Sequence, residues 1–241
     1  GGIKDSWNID FNANKTVLNL AIEKNAKQFI FLSAICVQKP KLAFQKAKKA
    51  FEDELIKSPI AYTIIRPTAF FKSISGQVKR IKKGKKFVLF GSGELTCCKP
   101  ISESDMADFI CDSIDNVYRM NRLLPIGGPG SALTPKQQAK ILFKVARKPE
   151  KYVRIPAALF PLVNTILFPF SLIFSNLVDK REFLKIAYYY ATESMLVWDS
   201  SRKTYDAEAT PEYGSENLET FYKEMMHEGT SGQEMGQNRL F

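Results

Sequence analysis

Gln28-Phe29-Ile30-Phe31-Leu32-Ser33, then Phe44-Gln45-Lys46-Ala47-Lys48 running into Phe51-Glu52-x-x-Leu55, then Ala61-Tyr62-Thr63-Ile64-Ile65-Arg66-Pro67: this stretch decides the fold. The first block is a short apolar run ending in a small polar residue. The third is rich in β-branched residues and is stopped by a proline. Both are apolar on both faces, as strands buried in a parallel sheet are. The middle block gathers Ala47, Phe51 and Leu55 on one helical face and carries lysines elsewhere. Ligands of a doubly wound sheet sit at the carboxyl ends of its strands. Ser33 and the Arg66-Pro67 turn fall there, and Lys48 reaches the same crevice as a point charge for ribose hydroxyls or phosphates.

Helical spacing recurs upstream, where Asn8 to Asn25 carries Phe11, Val17, Leu18, Ala21 and Ile22. Phe87 to Gly91 and Arg122 to Gly127 are shorter strand candidates. Ser102-Glu103-Ser104-Asp105 caps a helix, and Thr134-Pro135-Lys136-Gln137 is a cleaner start, with a threonine cap, proline at the first position and glutamine three on. Glu216 to Glu228 reads as a last amphipathic helix. The expected fold is therefore α/β: a Rossmann-like parallel sheet over residues 1–127, followed by a mostly helical region over residues 128–241.

Composition narrows the chemistry. The chain has 241 residues, 45% of them hydrophobic and 25% charged, as globular domains do. Thirty-five Lys and Arg against 25 Asp and Glu give a net charge of +10, which favours anionic ligands or surfaces. His227 is the sole histidine, so a Ser-His-Asp triad or a multi-histidine metal site has almost no material, and no metal centre is expected. Cys36, Cys97, Cys98 and Cys111 form no CxxC pair, and Cys97-Cys98 reads as a small buried strand.

Two stretches stand apart. Ile155 to Val178 holds 24 residues without a charge, 16 of them apolar. That is enough to span a bilayer as one straight helix, but Pro156, Pro161 and Pro169 interrupt it. A buried or pocket-lining helix pair, an interfacial helix and a true span all stay open. Lys79-Arg80-x-Lys82-Lys83-Gly84-Lys85-Lys86 places six cations in eight residues. No groove-reading motif surrounds it, so it reads as a solvated helix-to-strand turn and not as a nucleic-acid site.

The order strand-Ser, helix-Lys, strand-Arg-Pro resembles the short-chain dehydrogenase/reductase superfamily in its atypical, NmrA-like branch. Typical members use a serine at this strand end and a Tyr-x-x-x-Lys on this helix. Here Lys48 matches the lysine, but Phe44 stands at the tyrosine, so the usual tyrosine general acid is absent. The blocks LSAICVQKP, FQKAK, IIRPTAFFKS, CKPISE, LPIGGPG, YYATESML and TPEYG, with the final EGTSGQEMG, resemble the 8-vinyl reductase family of chlorophyll synthesis. That resemblance implies NADPH as cofactor, a divinyl chlorophyllide-type pigment as substrate, reduction of its C8 vinyl to ethyl, and a plastid location, stromal or thylakoid-associated. It implies Lys48 and Ser33 at the catalytic centre, Ser33 with no more than an orienting hydrogen bond. Ser33, Lys48, Arg66, Pro67 and Thr68 fall to the cofactor, and Phe70, Phe71, Tyr189 and Tyr190 to the substrate. Cys36, Lys72, a tyrosine of the 188–190 run and bulk water all remain proton-donor candidates.

One departure matters. Dinucleotide-binding folds open with a strand, a glycine-rich loop and a helix whose N-terminus receives the pyrophosphate. Gly91-Ser92-Gly93 and Gly127-Gly128-Pro129-Gly130 come far too late for that role. By the family pattern Gly1 falls after the fourth strand, which leaves a first half of roughly 60–90 residues to be accounted for. Three expectations follow: a longer chain, a second polypeptide that completes the fold, or a non-catalytic, pigment-associated subunit of a photosynthetic membrane complex. The last would also use residues 155–178 against a membrane surface.

Overall fold

A computed structural model describes residues 2–174 and 176–228; the EGTSGQEMG block falls almost entirely outside them. The chain opens with one continuous helical run: α1 (Ile3–Asp5), a π-helical segment (Ser6–Ala13) and α2 (Asn14–Glu23). Then come β1 (Gln28–Leu32), a 3-10 turn (Ile35–Gln38), α3 (Ala43–Lys57) and β2 (Ala61–Pro67). Two short helices, α4 (Phe71–Ile74) and α5 (Val78–Lys82), lead to β3 (Phe87–Phe90). They are followed by α6 (Glu103–Cys111), β4 (Arg122–Ile126), α7 (Pro135–Val145) and β5 (Tyr152–Ile155). The end is helical apart from a small hairpin: α8 (Leu159–Ser171), α9 (Asn176–Thr192), β6 (Val197–Asp199), β7 (Thr204–Asp206) and α10 (Leu218–Glu228).

β1, β2 and β4 form a parallel sheet with β2 in the centre. Among the described residues no other strand pairs with the outer edge of β1. The central strand is apolar on both faces because helices cover both. Ile64 packs with Leu18, Phe31, Phe51 and Leu55 under α2 and α3. Its neighbour Ile65 faces the opposite way, onto Met106, Phe109 and Ile126 beside α6. That three-layer arrangement is the Rossmann-like fold the sequence predicts.

A third cluster joins β3, α7 and α10, with Phe87, Leu89, Leu142, Phe143 and the fully buried Tyr222. β3 pairs in parallel with β5, and Gly127 bridges to Glu212, so contacts cross the 127/128 division throughout. Gly127 and Gly128 serve close packing: a Cβ on Gly128 would sit 2.0 Å from the Pro100 carbonyl oxygen.

The caps read from sequence are in place. Ser102 Oγ accepts from the Asp105 amide at 2.9 Å, and Thr134 and Gln137 exchange bonds at 3.2 and 2.8 Å. Asp105 does not close a capping box; its carboxylate accepts the amides of Ser215 and Glu216, tying the C-terminal segment to α6. The basic run begins in α5, with Lys79, Arg80 and Lys82, and continues through the turn to β3, where Lys83, Lys85 and Lys86 are exposed. All four cysteines are free, and Cys98 bridges Leu133 and Met195 in the backbone. Residues 155–178 form no single helix. α8 and the start of α9 pack as a pair, and none of the described helices is long and apolar enough to cross a membrane. The outward face of α8 is exposed, where a buried pair was one expectation.

Candidate functional site

The parallel sheet delivers two strand ends side by side. Past β1, the Ser33 amide donates to the Ile65 carbonyl at 2.8 Å; past β2, the Thr68 amide donates to the Ile126 carbonyl at 2.9 Å. Between them stands Glu52 of α3, fully buried. It accepts Ser33 Oγ at 2.5 Å, and Arg66 through Nε at 3.0 Å and Nη2 at 2.5 Å. A bidentate guanidinium-carboxylate pair compensates two buried charges that would otherwise be costly. Arg66 is thus directed at Glu52, not at the crevice, and its charge is matched inside the protein. The sequence reading missed Glu52. Its signal was the spacing Lys48-x-x-x-Glu52, which sets both side chains on one helical face.

Lys48 lies on the other side of this network. Its Nζ pairs with Asp10 Oδ1 at 3.1 Å, from the π-helical segment, and sits 5.5 Å from the centre of the Phe31 ring. It sits beside Phe31 of β1 but outside the strand-end crevice, with a carboxylate partner that the sequence did not suggest.

A cavity of about 400 Å³ opens at the strand ends. Its walls are largely apolar, with Phe70, Phe87, Phe90 and Met195 among them. Ser33, Thr68, Gln138, Tyr190 and Glu193 supply polar groups. Volume and lining are those of a small-molecule site. Ser33, Pro67, Thr68, Phe70 and Tyr190 of the expected site residues line it; Lys48, Arg66, Phe71 and Tyr189 do not. Phe71 is a core residue, 1% exposed, with its ring 5.3 Å from that of Phe221. It is adjacent to Phe70 in sequence but turned into the β3–α7–α10 cluster. Tyr189 and Tyr190 diverge for the same reason, about 100° apart on α9. Tyr189 lines a second cavity of about 370 Å³ with Lys41, Leu42, Phe160 and Tyr188.

Among the proton-donor candidates the geometry discriminates. Cys36 is buried and does not line the cavity, and burial pushes its thiol up to about 11. Lys72 and Tyr188 do not line the cavity. Tyr190 does, and burial raises its phenol well above the ordinary value, so it carries its proton at neutral pH.

Glu193, which borders both cavities, collects three donors: Lys41, Lys39 at 3.3 Å and Tyr205 at 2.5 Å. Burial pushes its carboxyl up, but those hydrogen bonds outweigh it and hold it below the usual carboxylate range. Lys39 also stacks on Trp198, 3.5 Å from the ring centre. This cluster clamps the 3-10 turn after β1 to the end of α9 and the β6–β7 hairpin.

The Ser33 and Thr68 hydroxyls border the cavity and are bonded to Glu52 and to the Lys99 carbonyl, while Lys48 stands outside it. A glycine-rich turn for the pyrophosphate is not among the described residues. Residues 1–117 match the family model described as NAD(P)H-binding. Among solved structures, the fold is similar to an NADPH-dependent quinone oxidoreductase from Escherichia coli (TM-score 0.60, 17% identity, 88% of this chain and 70% of that one). It is also similar to a nucleoside-diphosphate-sugar epimerase from Staphylococcus aureus (TM-score 0.61, 14% identity, 87% and 69%). The fold is that of the NAD(P)H-binding, Rossmann-like reductases and epimerases.

Sequence similarity is narrower. The chain is 48% identical to the divinyl chlorophyllide a 8-vinyl-reductase of Arabidopsis thaliana, labelled chloroplastic, over 98% of its own length and 58% of that protein's. It is 46% identical to the enzyme of the same name from Cucumis sativus, over 100% and 59%. The resemblance read from the sequence is thus borne out along the whole chain, which spans about three fifths of the length of these relatives.

Proposed function

We propose that the protein is an NADPH-dependent reductase that converts the C8 vinyl group of a divinyl chlorophyllide-type pigment to ethyl, in plastids. The observation that carries this reading is the 45–48% identity, over essentially the entire chain, to relatives bearing that name. An aromatic-walled cavity at the carboxyl ends of β1 and β2 supports it independently. A non-catalytic subunit is not favoured, since the relatives are named as enzymes.

Residues 1–127 would carry the cofactor side and residues 128–241 most of the substrate side. Lys48 would exchange Asp10 for the ribose hydroxyls. Ser33, fixed by Glu52, would orient the carboxamide end, and Pro67 and Thr68 would wall the ring. Arg66 would act through Glu52, as a positioning residue. Phe70 and Tyr190 would flank the flat macrocycle, and Phe71 and Tyr189 would support them from behind. Bound NADPH would supply a hydride to one vinyl carbon. Tyr190 would give its phenolic proton to the other carbon and recover one from water, so that one hydride and one proton complete the ethyl group. The work of the protein is alignment and exclusion of water. Whether the protein acts in the stroma or against the thylakoid turns on residues 155–178, whose outward face is apolar.

The test is full-length protein with NADPH and divinyl chlorophyllide, followed by chromatography with absorption detection. Loss of the 8-vinyl signature with one NADPH consumed per pigment is expected. No turnover together with no NADPH binding would overturn the reading.

A further inference from the structure

α8 carries no charge and only Asn164, Thr165 and Ser171 as polar side chains, a composition suited to a helix withdrawn from water. Here one face is partly buried and the other is exposed. Phe160, Val163, Asn164, Leu167 and Ser171 follow helical spacing on the inner, less exposed side, while Leu162, Ile166 and Phe170 follow it on the outer side, 58%, 56% and 51% exposed. The turn beyond projects furthest, with Leu172 74%, Ile173 76% and Phe174 55% exposed.

The polar side chains of α8 are bonded within the hairpin. Thr165 Oγ1 donates to the Pro161 carbonyl at 2.9 Å, and Ser171 Oγ to the Phe168 carbonyl at 2.7 Å. Arg181 donates to Asn164 Oδ1 at 3.1 Å and to Ser171 Oγ at 2.9 Å, with its guanidinium 4.7 Å from the Phe168 ring centre. Such internal satisfaction is what a hydrocarbon environment demands, since lipid tails offer no hydrogen bonds. Charge points the same way. From Lys151 to Arg181 there are four bases (Lys151, Arg154, Lys180, Arg181) and one acid, Asp179. Lys151, Arg154 and Lys180 are exposed and carry no ion pair among the described residues.

We propose that the α8–α9 hairpin seats the protein on an anionic bilayer, with the Leu172–Phe174 turn and the outer face of α8 sunk to the headgroup-acyl boundary and the flanking bases on the lipid headgroups. At 13 residues, α8 is about 20 Å long, too short to span a hydrocarbon core of ~30 Å, so the hairpin lies in the interface. The proposal makes the membrane contact of the preceding reading specific, but it does not depend on the reductase chemistry. It also has a consequence for delivery: Phe160 at the start of α8 stacks 5.0 Å from Phe90 of the cavity wall, so an amphiphilic pigment leaving the bilayer would meet the cavity beside the hairpin.

The test is co-flotation of full-length protein, without pigment or cofactor, with vesicles of phosphatidylcholine alone or with phosphatidylglycerol at about 30%. Binding to the anionic vesicles, weakened by 0.5 M salt as screening requires (about a 3 Å Debye length at 1 M), is the expected result. The double variant Leu172→Asp and Ile173→Asp should lose on the order of tenfold in vesicle affinity and keep its melting temperature and its turnover of detergent-dispersed pigment. Lys151→Gln with Arg154→Gln should weaken binding to anionic vesicles only. Equal flotation of wild type and the tip variant would overturn the proposal. So would absence of flotation accompanied by a dimer that the tip variant dissolves, because a second copy would then cover this face. Loss of reductase activity elsewhere in the protein would leave the flotation result unchanged.

Discussion

The β1–β2–β4 sheet and the α8–α9 hairpin draw on similar residues and use them in opposite ways. In β2 the run from Thr63 to Pro67 is buried, with Ile64 and Ile65 at 0% exposure. In α8 an equally apolar run leaves Leu162 and Ile166 more than half exposed. The sheet encloses its charged residue, Arg66, and matches it to Glu52 of the covering helix α3; the hairpin keeps its bases at the flanks. Hydrophobicity tells that a segment leaves water. Where the charges sit tells whether its destination is the protein or something outside it.

The largest effect should come from breaking the buried charge pair between β2 and α3. Glu52→Ala leaves Arg66 buried without a partner and Ser33 without its acceptor, and should cost about 3–5 kcal/mol in chemical denaturation. Glu52→Gln keeps one acceptor oxygen for Ser33 Oγ and Arg66 Nε but sets an NH2 group against Arg66 Nη2, and should cost less than the alanine. A loss within experimental error for Glu52→Ala would mean that the network does not hold the strand ends.

Next is the residue that connects the two regions in the proposed chemistry. Tyr190→Phe keeps the ring against the cavity and removes the proton, so turnover should fall by about 10²-fold or more with pigment affinity unchanged. Steady-state kinetics beside a fluorescence titration checks both halves.

Smaller again is the response to acid at Glu193, where the turn after β1 meets the end of α9. Its carboxyl is held below the usual range, so the stability it contributes is complete above the ordinary carboxylate value near 4.5 and is lost as pH falls through the lowered one. Melting temperature measured from pH 7 to pH 3 should fall more steeply for the wild type than for Glu193→Gln; parallel curves would remove Glu193 as a clamp. The smallest effect is expected on the outer face of α8. Ile166→Ser should change stability by no more than about 0.5 kcal/mol, as surface substitutions do, whereas Ile64→Ala in the sheet should cost about 2–5 kcal/mol.

Much of this contrast was legible in the sequence. β1, α3 and β2 follow from periodicity, and the Ser102 and Thr134 caps from side-chain chemistry. β5 and the β6–β7 hairpin were not legible: each strand has three or four residues, and β5 is specified by pairing with β3 more than sixty residues earlier. In the site, the βαβ order led to Ser33 and Pro67, which line the cavity, and to Lys48 and Arg66, which are paired with Asp10 and Glu52 outside it. Glu52 was not, because a glutamate on a lysine-rich helix looks solvated until the strands close over it. Phe70 and Phe71, like Tyr189 and Tyr190, differ only in direction, and direction is set by packing. The same holds for the hairpin, since composition cannot say which of its faces finds a partner.

The account rests on the cavity at the strand ends being the place of reaction, and a crystal structure of the full-length protein with NADP⁺ and a chlorophyllide tests it most directly. The prediction is a nicotinamide ring beside Ser33 and Thr68, with the vinyl-bearing edge of the pigment between it and Tyr190. Pigment seated instead in the second cavity, between Lys41 and Tyr188, with the strand-end cavity closed by side chains, would contradict it.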